Sequence, residues 1–115
     1  MTEDEAISVL EEELASPSGW LACAHRGETK DGAPLVHIYE ALTVLEDSWA
    51  DTIFVPKRAV LPMMQVDSAL CEMNDPQFEV PDGLPSSLGE LLVRVEEVLV
   101  SNDADRLRLE RLTFR

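Results

Sequence analysis

Apolar residues recur along most of this chain at helical rather than strand spacing. Near the start, Ile7, Leu10 and Leu14 fall three and four residues apart while Asp4, Glu5 and Glu12 take the other side, the pattern of a helix with one face turned to a core. Thr2-Glu3-Asp4-Glu5 has the form of a capping box, in which the Thr2 hydroxyl accepts from the Glu5 amide and the Glu5 carboxylate reaches back. Ser16-Pro17-Ser18-Gly19 then stops the run. A second helix is predicted from Pro34, which suits a first turn, through Leu35, Ile38, Leu42, Leu45 and Trp49.

After Val55-Pro56, the positions Val60, Met63, Met64, Val66, Leu70 and Met73 outline a third helix. Pro62 lies inside it, and a proline there removes a hydrogen bond and crowds the preceding turn. The expectation is a bend, or a short helix followed by a longer one. Ser87-Leu88-Gly89-Glu90 is a second capping box. It opens a fourth helix with Leu88, Leu91, Leu92, Val95, Val98 and Leu99 on one face, ended by Asn102 and Asp103.

Gly27 to Gly32 reads as a polar turn, and Asn74 to Ser86, with Pro76, Pro81, Gly83 and Pro85, as a loop. Residues 20 to 26 are apolar but too few for periodicity to choose between helix and strand. The tail, Arg106 to Arg115, alternates at first and is predicted as a short strand or extended arm. The fold class that follows is mainly α, about four helices in a compact bundle with a short C-terminal strand as an option. The alternative is an α+β domain in which 20 to 26, 35 to 45 and the tail pair as strands, and the helical spacing over 35 to 49 argues against it.

At 115 residues the chain has the size of one domain, and a domain that long buries roughly 65% of its unfolded surface. Residues 1 to 115 are therefore expected to form one unit. Aromatics are 5% of the residues, so aliphatic side chains must fill the core. Trp20 and Trp49 are expected inside, with a role as interface anchors as the alternative. Met63, Met64 and Met73 are expected to be plain core as well.

Charge changes the picture most. Nine basic against 23 acidic residues leave a net charge of −14, which disfavours direct contact with nucleic-acid phosphates or an anionic membrane and favours a basic protein partner. The tail is the exception. Its four arginines against Asp103, Asp105 and Glu110 give residues 102 to 115 a charge of plus one. This arm is expected to pack along acidic helices of its own domain, or else to contact a partner or second copy. No signal-peptide pattern opens the chain and no apolar run approaches the ~20 residues that span a bilayer, so a cytoplasmic protein is expected.

Chemistry-bearing motifs are scarce. Cys23, His25 and His37 match no metal spacing, so no metal is expected; His37 and Glu40 instead suit a local pair. The cysteines are expected as reduced core thiols. There is no Gly-x-Ser-x-Gly elbow and no phosphate-binding glycine loop, so neither a cofactor nor enzymatic activity is expected. Asp67-Ser68-Ala69-Leu70 resembles the motif of acyl carrier proteins, small acidic helical proteins with a serine after an aspartate at a helix start. Phe78-Glu79-Val80-Pro81-Asp82 is similar to a stretch that follows their second helix. The resemblance would imply a phosphopantetheine-accepting serine at Ser68. The chain departs from that family where Asp67-Ser68 falls within an apolar helical run, and where the gap is too short for the carrier's second helix.

The functional expectation is an acidic protein-binding module, an immunity- or antitoxin-type inhibitor or adaptor for a basic partner such as a toxin. Its contact residues would be Glu11, Glu12, Glu13, Glu46, Asp47 and Asp51, a carboxylate-rich face that steers the encounter. The competing expectations are a structural domain that self-associates, and a degenerate carrier.

Overall fold

The computed structural model describes residues 1–81, 84 and 86–100. Its helices are α1 (Glu3–Leu10), which continues without interruption as a π-helical segment (Glu11–Ala15), α2 (Trp20–His25), α3 (Pro34–Ser48), α4 (Lys57–Glu72) and α5 (Leu88–Leu99). The protein is mainly helical, and the described residues contain isolated β-bridges but no strand. Four long helices thus match the expected bundle, and the short α2 resolves most of the ambiguous 20–26 segment as helix. Segment 35 to 45 lies wholly in α3, which removes two of the three strands of the α+β alternative. The predicted C-terminal strand or arm and its arginines lie outside the described residues, as do Asn102 and Asp103.

Each helix begins and ends for a local reason. The Thr2 box forms in both directions, with Glu5 N to Thr2 Oγ1 at 3.2 Å and Thr2 N to Glu5 Oε1 at 3.3 Å. At the end of α2, Gly27 takes φ +75°, a conformation open to glycine. There Glu28 N donates to Cys23 O and Gly27 N to Ala24 O, the paired bonds of a Schellman cap. The box predicted at Ser87 is only half formed. Ser87 Oγ accepts from Glu90 N at 3.2 Å, but the second cap comes from Asp75, whose carboxylate accepts from Gly89 N at 2.8 Å. This carboxylate, 14 residues upstream, caps a different amide from the one the local glutamate would have served. It is held there because Leu88 N donates to Pro76 O and Phe78 N to Ser86 O at the start of α5.

Helix α4 runs through Pro62 as one element, so of the two expected outcomes, a bend or a split, the split into two helices does not occur. Pro62, inside the helix, has no N–H for the carbonyl of Arg58, four residues back. Its ring is fully buried, and burial of that apolar ring offsets the lost bond.

The core is aliphatic. Ile7 and Leu10 of α1, Leu35, Ile38, Leu42 and Leu45 of α3, Met63 and Val66 of α4, and Leu88, Leu91, Val95 and Val98 of α5 are all buried. Both tryptophans are inside as expected, each with its indole N–H satisfied: Trp20 donates to Asp31 O at 2.8 Å, and Trp49 to Glu3 Oε1 at 3.0 Å. Phe78, from the loop, meets Trp20 edge to face at 4.8 Å between centroids and closes that end of the core. The cysteines depart from the expectation of core thiols: both are free, Cys23 half-buried and Cys71 exposed.

The loops are pinned by close backbone approach. Gly32 N donates to Glu79 O at 2.6 Å, and Glu79 N to Lys30 O at 2.9 Å. A Cβ on Gly32 would strike Val80 Cγ1 and the Glu79 carbonyl, and one on Gly19 would strike the Glu12 carbonyl. Backbone cannot swing aside as a side chain can. Gly32→Ala and Gly19→Ala are each expected to lower stability by about 1–3 kcal/mol, read as a lower urea midpoint at unchanged slope. His37→Ala, at an exposed position, should stay within about 0.5 kcal/mol of the parent.

Candidate interaction surface

Protein-wide acidity becomes specific once the arginines are located; the two described lysines, Lys30 and Lys57, are exposed and enter no ion pair among the described residues. The described residues carry three arginines, and each is held by carboxylates of its own chain. Arg26 pairs with Glu28 at 2.9 Å. Arg58 Nη2 lies 2.6 Å from Glu11 Oε1, with Asp4 at 3.9 Å from Nη1. Arg94 reaches across from α5 to α3, placing Nη1 at 2.7 Å and Nη2 at 3.3 Å from the two Glu46 oxygens and also meeting Glu97 at 3.2 Å. Only 20% of the Arg94 side chain is exposed. The Glu46 hydrogen bond outweighs the cost of that burial and raises the Arg94 pKa above its ordinary value.

The six carboxylates named from sequence therefore divide. Glu11 and Glu46 serve the fold as anchors for Arg58 and Arg94. Glu12, Asp47 and Asp51 are exposed, Glu13 is half-buried, and none of the four has an ion pair among the described residues. They do not share one end of the molecule. Asp47 and Asp51 flank Trp49, whose bond to Glu3 sets them by the acidic first turn of α1, whereas Glu12 and Glu13 lie in the π segment. Nine residues from Glu3 to Glu12 correspond to roughly 13 Å of helix axis.

A second feature is apolar. Val60, Met63 and Met64 of α4 and Leu92, Val95 and Leu99 of α5 line an open groove of about 240 Å³, with Asp67 on one wall and Glu96 on the other. Met64 is 57% exposed, against the expectation of plain core, and Leu61 beside it is 60% exposed. The physical reason is stripe width. Helix α5 carries six apolar positions on one face, and the core takes Leu88, Leu91, Val95 and Val98, leaving Leu92 and Leu99 half-buried along the edge. The seven-residue step from Leu92 to Leu99 is the sequence signal for this groove. Phe54, in the loop before α4, is exposed by 81%.

A polar cleft of about 220 Å³ lies between the end of the first helix, α2 and α4, with His25, Ser68 and Glu72 on its walls. His25 Nε2 is 2.9 Å from Glu72 Oε2. Ser68 and His25 share no hydrogen bond among the described residues, and the His25 imidazole turns instead to Glu72. Ser68 also sits deep within α4 rather than at a helix start, unlike the serine of the carrier motif. His37 is 3.7 Å from Glu40, the local pair expected from their spacing. Among the described residues, no three His, Cys, Asp or Glu side chains are grouped to hold a metal ion, and no helix is long and apolar enough to cross a membrane.

Comparison with known proteins yields no matching family model, no curated relative and no solved structure that matches.

Tyr39, on the α3 side facing α5, has a buried hydroxyl with no hydrogen-bond partner among the described residues. Burial, then the charge of Glu90, pushes its phenol up to about 12, with Arg94 opposing. Below pH 10 the phenol is protonated whether the chain is folded or not. Between about 10 and about 12 only the unfolded chain releases the proton, so stability should fall across that window. The chain has a single tyrosine, so an absorbance titration of tyrosinate reports this site directly. Tyr39→Phe should abolish the phenol's part of that pH dependence and leave stability equal or raised by up to about 1 kcal/mol.

Proposed function

We propose that this protein is an acidic protein-binding module that recognises a basic protein, acting as an inhibitor or adaptor of the immunity or antitoxin kind rather than as a catalyst. The observation that carries the reading is the internal pairing of Arg26, Arg58 and Arg94, which leaves exposed carboxylates such as Glu12, Asp47 and Asp51 without a cation of their own among the described residues. A surface of that kind attracts cationic partners over about a Debye length and accelerates the encounter more than it tightens the final complex. Lysines and arginines that a nuclease uses on phosphates are the chemistry such a face would cover.

The resemblance to acyl carrier proteins gains nothing from the site, since Ser68 lies mid-helix. Self-association through Trp20 or Trp49 lacks support as well, because both indoles are buried and hydrogen-bonded within the domain.

The test is capture from native host lysate on the immobilised full chain at low and at high salt, followed by association kinetics with any protein retained. A basic protein held in fixed ratio, with an association rate that falls at least tenfold from low to high ionic strength, supports the reading. Retention of nothing but the chain itself at both salts overturns it.

A further inference from the structure

Resting on that reading, we propose that the α4–α5 groove is the docking site, and that its occupant is an amphipathic helix of the partner with apolar residues along one face and lysines or arginines along both edges. The groove's geometry specifies each part of this description. Its floor is aliphatic and thioether, from Val60, Met63, Leu92 and Val95, and a trough between two helices accepts the apolar stripe of a third. Asp67 and Glu96 stand on opposite walls, and neither has an ion pair among the described residues. A helix lying in the trough therefore meets carboxylate on both sides. Met64, exposed at the rim, can repack around a range of apolar side chains.

Charge selects among occupants. A second copy would bring Asp67 and Glu96 against the same two carboxylates, in chains that each carry −14. An acidic or neutral peptide leaves both walls without a counter-charge. A basic amphipathic segment satisfies floor and walls together.

The experiment uses the full chain with 13C-labelled methionine methyl groups. The four methionines report separately on the groove, through Met63 and Met64, and on sites away from it, through Met1 and Met73. The probes are a short helical leucine–lysine peptide and the same peptide with glutamine in place of lysine. Expected are shifts at Met63 and Met64 with the lysine peptide and much weaker binding of the glutamine peptide. Affinity should fall about tenfold in the pair Asp67→Asn with Glu96→Gln, and about as much in Met64→Gln. The pair Glu40→Gln with Glu90→Gln, both exposed and neither lining the groove, removes the same charge elsewhere and should cost less than about threefold.

Equal losses in the two charge pairs, or binding without shifts at Met63 and Met64, overturn the groove assignment while leaving the acidic-module reading intact. Shifts at these methyls that depend on protein concentration without peptide assign the groove to a second copy and overturn the proposal. Shifts produced by replacing Arg106, Arg108, Arg111 and Arg115 with glutamine assign it to the chain's own C-terminal segment and overturn the proposal equally. Failure of both the lysate capture and the peptide binding removes the two readings together.

Discussion

The described helices are organised around the apolar seam where α1 meets α3, because a chain with 23 carboxylates and few aromatics must remove its aliphatic residues from water along continuous helical stripes. Ile7 and Leu10 face that seam from α1, and Leu35, Ile38, Leu42 and Leu45 line α3 from end to end. Alanines at 6, 41 and 59, all fully buried, keep side-chain bulk low where helices approach. The seam is closed by Trp49, whose indole N–H reaches Glu3 across 46 residues of chain. Helix α5 then packs on α3 and α4, and α4 on the π segment, so that one buried face organises four long helices.

Electrostatics works within that frame. Self-repulsion at −14 opposes a compact state, and the fold counters part of it by placing arginines between elements distant in sequence. Arg58 ties the start of α4 to the first helix, and Arg94 ties α5 to α3 through a two-pronged contact with Glu46. The Arg58 pair is exposed and contributes modestly, whereas the Arg94 pair is shielded and geometrically defined. The same pairing concentrates the remaining negative charge on the outside. The paired arginines are unavailable to neutralise the surface, and of the described lysines and arginines only Lys30 and Lys57 stand exposed outside these pairs.

The helices were legible because helix formation is written in local spacing. Three- and four-residue apolar steps identified α1, α3 and α5, and the Thr2 box located the start of α1 within a residue. Where the outcome depended on contacts far along the chain, local patterns could not decide. Most of the 20–26 segment becomes a helix beneath Phe78, a neighbour more than fifty residues away. Pro62 stays inside one continuous α4 with its ring in the core. Asp75, 14 residues upstream, caps the Gly89 amide of α5.

The candidate surface divides along the same line. Sequence by itself determined the mainly helical class, the apolar side of each long helix and the excess of carboxylate, all of which follow from residue type and from spacings shorter than two turns. Only the tertiary structure decided which carboxylates are free, since Glu11 and Glu46 are claimed by arginines 47 and 48 residues away. It also decided which apolar residues remain outside. Leu92, Leu99 and Met64 share their spacing with true core positions, and what separates them is that no described element covers the edge where α4 and α5 part. A stripe's period tells which side of a helix is apolar; how much of that side is buried depends on the width of what packs against it.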